Sequence, residues 1–408
     1  MSSDFVAKEP VDKEKLPQEY QMTLKKLENR HIQPDNLEKN TLLTGATGFL
    51  GAHLLLELLQ TTNATIFTLV RGKSDQNAKE RLIEICEFYF AMDIFAHYSD
   101  RIVICKGDIS ELELGLTHEK YLDLSQKMDI IINVASNVKH YGTYEDFYQS
   151  NVLGVKYLIE FQELGKQKQL VQCSTVSLGS GYLENVDHFD YTEDVSLLPV
   201  EHESVYLKTK AEAEELLFEA RSRGLSNSII RLGNLQSNTE TGKFQINDSD
   251  NAFFSQIKGL LHLGIAPDID YKVEYTPINL AARACVKLIT LSSATNEIYH
   301  VYNPHPVLMK KLIQSFASES EFEFVSLETF YQILFEQLQK EKVDEEILLL
   351  SLHLGLFKEP KLQTAFTIHS EKTNAILKKL DFEWEELDED ALLKIGNQSS
   401  YINKKESD

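Results

Sequence analysis

The stretch SVYLKTKAEAEELL places a tyrosine and a lysine, Tyr206 and Lys210, four residues apart at the start of an amphipathic pattern. On a helix this spacing brings both side chains to one face. A tyrosine has an ordinary pKa of about 10, and an ammonium group beside it favours the phenolate, which brings proton exchange closer to neutral pH. The pair is therefore a candidate for acid–base chemistry, although YxxxK by itself also occurs on the surfaces of many helices.

Two neighbouring hydroxyls end the β-branched run QLVQCSTVS, which predicts a strand. They belong to Ser174 and Thr175. Open parallel sheets bind ligands at the carboxyl ends of their strands, so a hydroxyl at this position can hydrogen-bond a reacting carbonyl oxygen. One residue of register decides which of the two hydroxyls takes that role.

The stretch TGATGFLG lies between a strand-like run, TLLT, and a helix-like run, GAHLLLELLQ. Its glycines, Gly45, Gly48 and Gly51, could serve only a structural turn and helix packing. The strand–turn–helix setting instead favours a pyrophosphate bound at the helix N-terminus, and so a dinucleotide. The predicted contacts in this loop also include Thr47, Phe49 and Leu50.

The second predicted strand ends in TLVRGK, with Arg71 and then Lys73. Enzymes that use NAD usually have Asp or Glu there to bind the ribose 2′-hydroxyl, whereas a cation favours the 2′-phosphate of NADPH. The alternative is that Arg71 only lies in solvent at the edge of the sheet. Asp108, in KGDIS after the third strand, is expected to contact the adenine. Further predicted cofactor contacts are Arg81, Ile109, Asn133 and Lys210.

Short β-branched runs alternate with amphipathic segments from Asn40 onwards. This alternation predicts an α/β fold of the Rossmann type, a doubly wound parallel sheet with helices on both faces, followed by a smaller, mainly helical C-terminal domain. The predicted parts are an N-terminal extension or linker (1–38), a cofactor-binding domain (39–236) to which 271–305 returns, and a substrate domain (237–270 and 306–400).

Composition excludes several classes of partner. The chain has 408 residues, 42% of them hydrophobic, and a formal net charge of −22, which opposes binding to nucleic acid or anionic lipid. Its four cysteines have no CxxC pairing and no histidines at zinc-site spacing, so we expect reduced thiols and no metal. No apolar run approaches the roughly 20 residues of a membrane span, and the N-terminus lacks a signal-peptide core. We expect a cytoplasmic protein.

Taken in order, TGATGFLG, LVRG, GDIS, the NVAS strand end, NVLG, STVS, YLKTKAEAE and RLGNL resemble an extended short-chain dehydrogenase/reductase. More narrowly, they resemble the thioester reductases that end nonribosomal peptide synthetases and carboxylic acid reductases. The resemblance runs from about Thr41 to Asn303 and continues weakly towards the C-terminus. Two positions depart from the family pattern: Asn133 stands where His is common, and Leu232 where Pro is common.

By position, the resemblance implies a triad of Thr175, Tyr206 and Lys210, with Ser174 as a rival to Thr175. It also implies that NADPH reduces the thioester carbonyl of an acyl or peptidyl group on the phosphopantetheine arm of an upstream peptidyl carrier protein. Tyr206 would donate a proton, Thr175 and Tyr206 would bind the oxyanion, and collapse of the thiohemiacetal would release an aldehyde. A dipeptide aldehyde would cyclise to a pyrazinone. We expect a monomer.

Within the resemblance, the segment EICEFYFAMDIFAHYSDRI and the C-terminal helices are where a carrier domain would dock. Its aromatic residues, Phe88, Tyr89, Phe90 and Phe95, are expected mostly to pack a core. Two rival functions share the fold: an NAD-dependent sugar-nucleotide epimerase or dehydratase, and a non-catalytic module that senses NADP(H). Arg71 argues against the first and Tyr206 against the second.

Overall fold

The computed structural model describes residues 16–34, 38–139, 142–183, 186–194, 204–247, 251–291, 296–317, 322–356 and 364–398. Within these residues, a seven-stranded sheet forms the centre of the molecule. Its strands are β1 (Thr41–Thr44), β2 (Ile66–Val70), β3 (Ile102–Lys106), β4 (Ile130–Asn133), β5 (Gln169–Thr175), β7 (Asn227–Leu232) and β12 (Ile298–Val301). Their order across the sheet is β12-β7-β5-β4-β1-β2-β3, and every neighbouring pair is parallel.

Successive strand residues point to opposite faces of the sheet, and both faces are covered. Ile132 and Ile230 belong to the hydrophobic core on one face, and their neighbours Ile131 and Ile229 belong to the core on the other. Burial on both faces explains why these strands are continuous apolar runs. This arrangement confirms the predicted doubly wound Rossmann-type fold.

The helices of the described residues cover the two faces and build a second domain. They are α1 (Gln18–Glu28), α2 (Phe49–Thr61), α3 (Asp75–Tyr89), α4 (Ile94–Tyr98), α5 (His118–Lys127), α6 (Tyr144–Tyr148), α7 (Gly154–Glu163), α8 (Val205–Ser222), α9 (Ala252–Leu263), α10 (Ile278–Ile289), α11 (Met309–Phe316), α12 (Leu327–Leu338), α13 (Glu345–His353), α14 (Glu371–Lys379) and α15 (Glu389–Asn397). Helices α2, α3 and α10 pack on one face, and α5, α7 and α8 on the other.

The second domain has its own core, formed mainly by α9, α11, α12, α13 and α15. Short strands accompany it or lead into it: β8 (Leu235–Gln236), β9 (Ile265–Pro267), β10 (Lys272–Val273), β11 (Thr276–Pro277), β13 (Val307–Leu308) and β14 (Glu323–Val325). A separate pair, β6 (His188–Tyr191) with β15 (Ala365–Ile368), lies beside α8. Ile376, Leu377 and Trp384 join the core of the Rossmann domain, so this late segment packs with the sheet rather than with the helical domain.

The N-terminal segment also packs on the Rossmann domain. Tyr20 and Leu27 of α1 are 2% and 6% exposed. The ammonium of Lys379, at the end of α14, donates to the carbonyls of Leu27 (2.7 Å), Glu28 (2.9 Å) and Arg30 (2.8 Å) around the C-terminal end of α1. The described part of the N-terminal extension is therefore folded against α14 and is not a free linker.

Three further features concern the classes of site considered above. No helix in the described ranges combines the length and the apolar character that crossing a bilayer requires. Over the same ranges, no three His, Cys, Asp or Glu side chains are grouped as a metal site would need. All four cysteines are buried and unpaired.

Candidate active site

The glycine loop connects β1 to α2 and has little space for side chains. Gly45 has a φ of +71°, and a Cβ on it would lie 2.7 Å from the backbone nitrogen of Ala135. A Cβ on Gly51 would lie 2.0 Å from the carbonyl oxygen of Gly45. Gly48 is the N-cap of α2, and no side chain caps that helix end. Backbone N–H groups of α2 are thus left for an external anion, as pyrophosphate binding requires.

The other predicted residues of this loop differ in what their side chains do. The ring of Phe49 packs against His53, Tyr89 and Phe244, at centroid distances of 5.3, 5.5 and 5.6 Å. Leu50 is 6% exposed and belongs to the core. For Leu50 only the backbone is left for a cofactor, whereas Thr47 and Phe49 remain partly exposed.

Arg71 follows β2 directly and its side chain is exposed. Its carbonyl accepts a hydrogen bond from the guanidinium of Arg81 on α3, so Arg81 holds the backbone of this strand end. After β3, one carboxylate oxygen of Asp108 accepts from the backbone (3.0 Å) and the hydroxyl (2.7 Å) of Ser110. Ile109 is buried beside it. These residues lie at the carboxyl ends of β2 and β3, next to the glycine loop.

Asn133 ends β4 and is fully buried. Its amide oxygen accepts from the hydroxyl of Thr44 (2.5 Å), and its amide nitrogen donates to Gln172 (2.8 Å). The side chain therefore links β1, β4 and β5 at the point where the strand order reverses. The side-chain amide of Asn133, which was expected to contact a cofactor, is therefore engaged in hydrogen bonds within the protein.

Tyr206 lies in the first turn of α8, where Ser204 caps the helix by accepting from the backbone of Leu207 (3.2 Å). Its ring packs beside a small cluster that includes Leu178 and Tyr191. Burial raises the pKa of Tyr206 to about 12, so its hydroxyl is protonated at neutral pH.

Lys210 is 4% exposed and directs its ammonium to the carbonyl oxygen of Cys173 on β5, at 2.7 Å. Within the described residues it makes no hydrogen bond to Tyr206, and burial lowers the pKa of Lys210 to about 8. The expectation that this ammonium favours a phenolate is therefore not met in this geometry, because burial dominates at the tyrosine and a backbone carbonyl binds the lysine. Tyr206 therefore carries its hydroxyl proton at neutral pH.

The two candidate hydroxyls have different partners. Ser174 donates to the buried carboxylate of Glu214 on α8, at 2.5 Å. Thr175 ends β5, and its hydroxyl oxygen accepts from the backbone of Ser177 at 3.1 Å. Since accepting leaves its own proton free, Thr175 can still donate to a ligand. The structure therefore favours Thr175 over Ser174 as the hydroxyl available for chemistry.

Two features of the site went unnoticed in the sequence. The first is the ion pair between Glu214 and Arg231 of β7 (2.7 Å), with both side chains at most 1% exposed. The second is Asn151, in a π-helical turn before α7. Asn151 accepts from the backbone of Asn137 (2.7 Å) and donates to the hydroxyl of Thr209 on α8 (3.1 Å). The motif NVLG was the available signal for Asn151.

The aromatic segment that ends α3 and continues through α4 is mostly core. Tyr89 and Phe90 are 1% and 8% exposed, and Phe95 packs against the same core. Phe88 is exposed, but its carbonyl accepts from the ammonium of Lys243.

These residues fit a dinucleotide. The glycines leave no room for a Cβ at Gly45 and Gly51, the N-terminus of α2 is uncapped, and an exposed guanidinium follows β2. The glycine loop, the end of β2 and the end of β5 all lie at the same, carboxyl edge of a parallel sheet. Ligands of open α/β folds bind at this edge.

Comparisons with known proteins agree with this geometry. The model of an NAD-binding family described as "Male sterility protein" matches residues 43–285. A linear gramicidin synthase from Brevibacillus parabrevis is 28% identical over 361 residues, which are 87% of this chain but 7% of that protein. The chain thus spans a small part of the curated relatives it matches.

Solved structures match along nearly the whole chain. A thiolation-reductase di-domain from an archaeal non-ribosomal peptide synthetase has a TM-score of 0.77 at 29% identity, covering 94% of this chain and 80% of that one. The terminal R domain from the myxalamid PKS-NRPS biosynthetic pathway has a TM-score of 0.77 at 27% identity, covering 92% and 94%. The chain therefore belongs to the male sterility protein family of NAD-binding domains and is a nicotinamide-dependent oxidoreductase of the extended short-chain dehydrogenase/reductase type, as its motifs predicted.

Proposed function

We propose that this chain uses NADPH to release an acyl or peptidyl group from a carrier protein as an aldehyde, the terminal step of nonribosomal peptide synthesis. One observation carries the proposal. Lys210 on α8 donates to the carbonyl of Cys173 on β5, two residues before Thr175, and Tyr206 lies about one turn earlier on the same helix. This placement supports a site in which a proton donor, a cation and a hydroxyl able to donate act together at the carboxyl edge of the sheet.

NADPH would supply the hydride for the reduction. Gly45, Gly48 and Gly51 would hold its pyrophosphate against the N-terminus of α2. Lys210 would bind the nicotinamide ribose. The exposed guanidinium of Arg71 supports NADPH over NADH because it suits a 2′-phosphate.

The residues of the chain would then handle charge and protons. The hydroxyls of Thr175 and Tyr206 would donate hydrogen bonds to the carbonyl oxygen of the thioester as negative charge develops on it. Tyr206 would transfer its proton to that oxygen, which suits a phenol whose pKa is raised to about 12. The resulting thiohemiacetal breaks its C–S bond and yields the aldehyde and the free thiol.

The carrier partner is supported by the relatives, one of which is a thiolation-reductase di-domain. A carrier arm delivers the acyl group at a high local concentration, so a monomeric reductase needs little affinity for the acyl group itself. With a dipeptide substrate, the aldehyde carbon and the free amine would condense to a cyclic imine with loss of water. A pyrazinone would form from that imine by transfer of two electrons and two protons to an external oxidant such as dissolved oxygen.

The experiment is a single-turnover reaction of the protein with NADPH and a peptidyl thioester on a phosphopantetheinylated carrier protein. We expect a fall in absorbance at 340 nm that matches trapped aldehyde in a one-to-one ratio. The same acyl group on a small soluble thiol should react with a much lower kcat/KM. If NADPH binds but is not oxidised by any thioester, the proposed function is wrong.

A matched control separates recognition of the carrier from chemistry. An unloaded carrier, with a free phosphopantetheine thiol, should inhibit reduction of the loaded carrier but should not itself consume NADPH. Equal kcat/KM values for carrier-bound and free thioesters would exclude the carrier as the natural partner and favour a reductase of soluble thioesters.

A further inference from the structure

A buried ion pair lies between α8 and the strands that carry the candidate site. The carboxylate of Glu214 accepts from the Arg231 guanidinium through Nε (3.1 and 3.2 Å) and a terminal nitrogen (2.7 Å). It also accepts the hydroxyl proton of Ser174 at 2.5 Å. One carboxylate on the helix thus binds two neighbouring strands, β5 and β7.

The arginine of the ion pair, Arg231, is also held by further contacts. The guanidinium of Arg231 lies over the ring of Tyr191, 4.8 Å from its centroid, and approaches Nε2 of His300 at 3.3 Å. Nδ1 of His300 contacts the carbonyl of His369 at 2.8 Å, so Nδ1 carries the proton and Nε2 accepts from Arg231. The position of Glu214 is therefore fixed from β7, β6 and β12.

The contacts of Glu214 bear directly on the candidate catalytic groups. Ser174 precedes Thr175 in β5, so fixing Ser174 sets where the Thr175 hydroxyl lies relative to α8. Lys210 is one helical turn before Glu214, and their side chains share a face of α8. A negative charge there favours the ammonium form of Lys210 and opposes the burial that lowers its pKa to about 8.

Other titratable groups surround this pair. Burial raises the pKa of the Cys173 thiol to about 12 and raises that of Tyr191 well above its usual value, while burial lowers the pKa of His300, so all three are neutral near pH 7. The charged groups around the pair include Arg221 on α8, Glu193 after β6, which acts on Arg231, and Lys372 and His369, which act on His300. Glu214 supplies the carboxylate charge that opposes the effect of burial on the pKa of Lys210.

We propose that Glu214 is a positioning residue of the candidate active site: it holds the end of β5 against α8 through Ser174 and keeps a negative charge one turn from Lys210. Ser174 then serves Glu214, and Thr175 serves the reaction. This inference rests on the proposed function for its catalytic consequence, but its effect on cofactor binding does not.

Two substitutions separate the two contributions. Glu214→Gln keeps an oxygen that can accept from Ser174 but removes the charge, and Ser174→Ala keeps the charge but removes the bond to β5. The dissociation constant of NADPH, measured by nucleotide fluorescence between pH 6.5 and 9, reports the protonation of Lys210 in the free protein. Glu215→Gln makes the same chemical change at an exposed position of α8 and serves as the control.

For the wild type and for Glu215→Gln, we expect NADPH affinity to fall as the pH rises. The pH midpoint of this fall should lie near the pKa of Lys210. In Glu214→Gln the midpoint should move down by about one pH unit, which weakens binding about fivefold at pH 8. Ser174→Ala should keep the wild-type midpoint and lower single-turnover kcat about tenfold with little change in KM. Thr175→Ala should lower kcat by a further tenfold or more.

Either of two results would overturn the inference. One is an unchanged midpoint in folded Glu214→Gln, and the other is a loss of kcat in Ser174→Ala as large as that in Thr175→Ala. Should Glu214→Gln not fold, Glu214→Asp keeps the charge on a shorter side chain. Glu214→Asp should show the wild-type pH midpoint together with a kcat lowered as in Ser174→Ala. A displaced midpoint in Glu214→Asp would contradict the role given to the charge of Glu214. A wild type that binds NADPH but reduces no thioester would refute the proposed function, while the midpoints still test Glu214.

Discussion

Replacing Gly51 by alanine tests how the glycine loop holds a cofactor. The new Cβ would lie 2.0 Å from the carbonyl oxygen of Gly45 and 2.6 Å from its carbonyl carbon, so α2 and the loop must separate by about 1 Å to reach 3.0 Å. Gly45 cannot move aside, because it packs closely against the backbone of Ala135. Overpacking of this kind costs roughly 3 kcal/mol, and the better helix propensity of alanine returns about 1 kcal/mol.

We therefore expect Gly51→Ala to lose about 2 kcal/mol of folding free energy. It should also bind NADPH tenfold to a hundredfold more weakly, because a shift of this size removes at least one charge-assisted bond to the pyrophosphate, worth about 1.5 to 3 kcal/mol. Urea unfolding measures the first quantity, and nucleotide fluorescence titration the second.

Gly48→Ala is the matched control within the same loop. The backbone of Gly48 is extended, with a φ of −94°, and a Cβ there would lie 3.2 Å from the nearest atom. Stability should change by less than about 1 kcal/mol, while the added methyl blocks the close approach of a pyrophosphate and weakens NADPH binding about tenfold. If Gly51→Ala keeps both wild-type stability and wild-type affinity, the loop does not pack as described.

Three other substitutions give separate tests. Tyr206→Phe should lower the single-turnover rate 10²- to 10⁴-fold and leave the NADPH dissociation constant nearly unchanged; normal turnover would mean that the proton comes from another group. Arg71→Ala should reduce the preference for NADPH over NADH tenfold to a hundredfold in competition titrations. Equal use of both cofactors by the wild type would contradict the role given to Arg71. Burial raises the pKa of Glu274 to about 7, so its stabilising contribution is present at low pH and is lost as the pH rises through 7. In urea unfolding, the free energy of unfolding of Glu274→Gln should increase by about 2 kcal/mol relative to that of the wild type when the pH is raised from 5 to 8. Parallel curves of stability against pH would refute this reasoning.

The parts of the site that follow from local pattern could be predicted from the sequence. The spacing of Gly45, Gly48 and Gly51 between a strand and a helix determines a turn in which a Cβ does not fit. The four-residue spacing of Tyr206 and Lys210 places both on one face of α8, whatever surrounds that helix. The parallel direction of the strands follows from the alternation of strands and helices, because parallel strands require crossover connections.

The remainder depends on contacts between distant segments. In KAEAEELL, Glu214 has the surroundings of a solvent-exposed helix residue, and only the packing of α8 on β7 pairs it with Arg231. The choice between Ser174 and Thr175 depends on which one reaches that carboxylate. The direction of Lys210 towards the carbonyl of Cys173, and not towards Tyr206, likewise depends on how α8 docks on β5.

The docking of α1 on α14 bears on where this chain can be shortened without damage to the fold. The hydroxyl of Tyr20, on α1, donates to the buried carboxylate of Glu193 and accepts from the backbone N–H of Lys372 at 3.0 Å. A protein cut at the start of β1 would lose this hydroxyl and leave Glu193 short of a donor inside the fold. It would also expose the surface that Leu27 covers, and Lys379 would lose three acceptors at once. Any shortened or recombined form of this chain should therefore begin upstream of α1, so that this helix stays with the Rossmann domain.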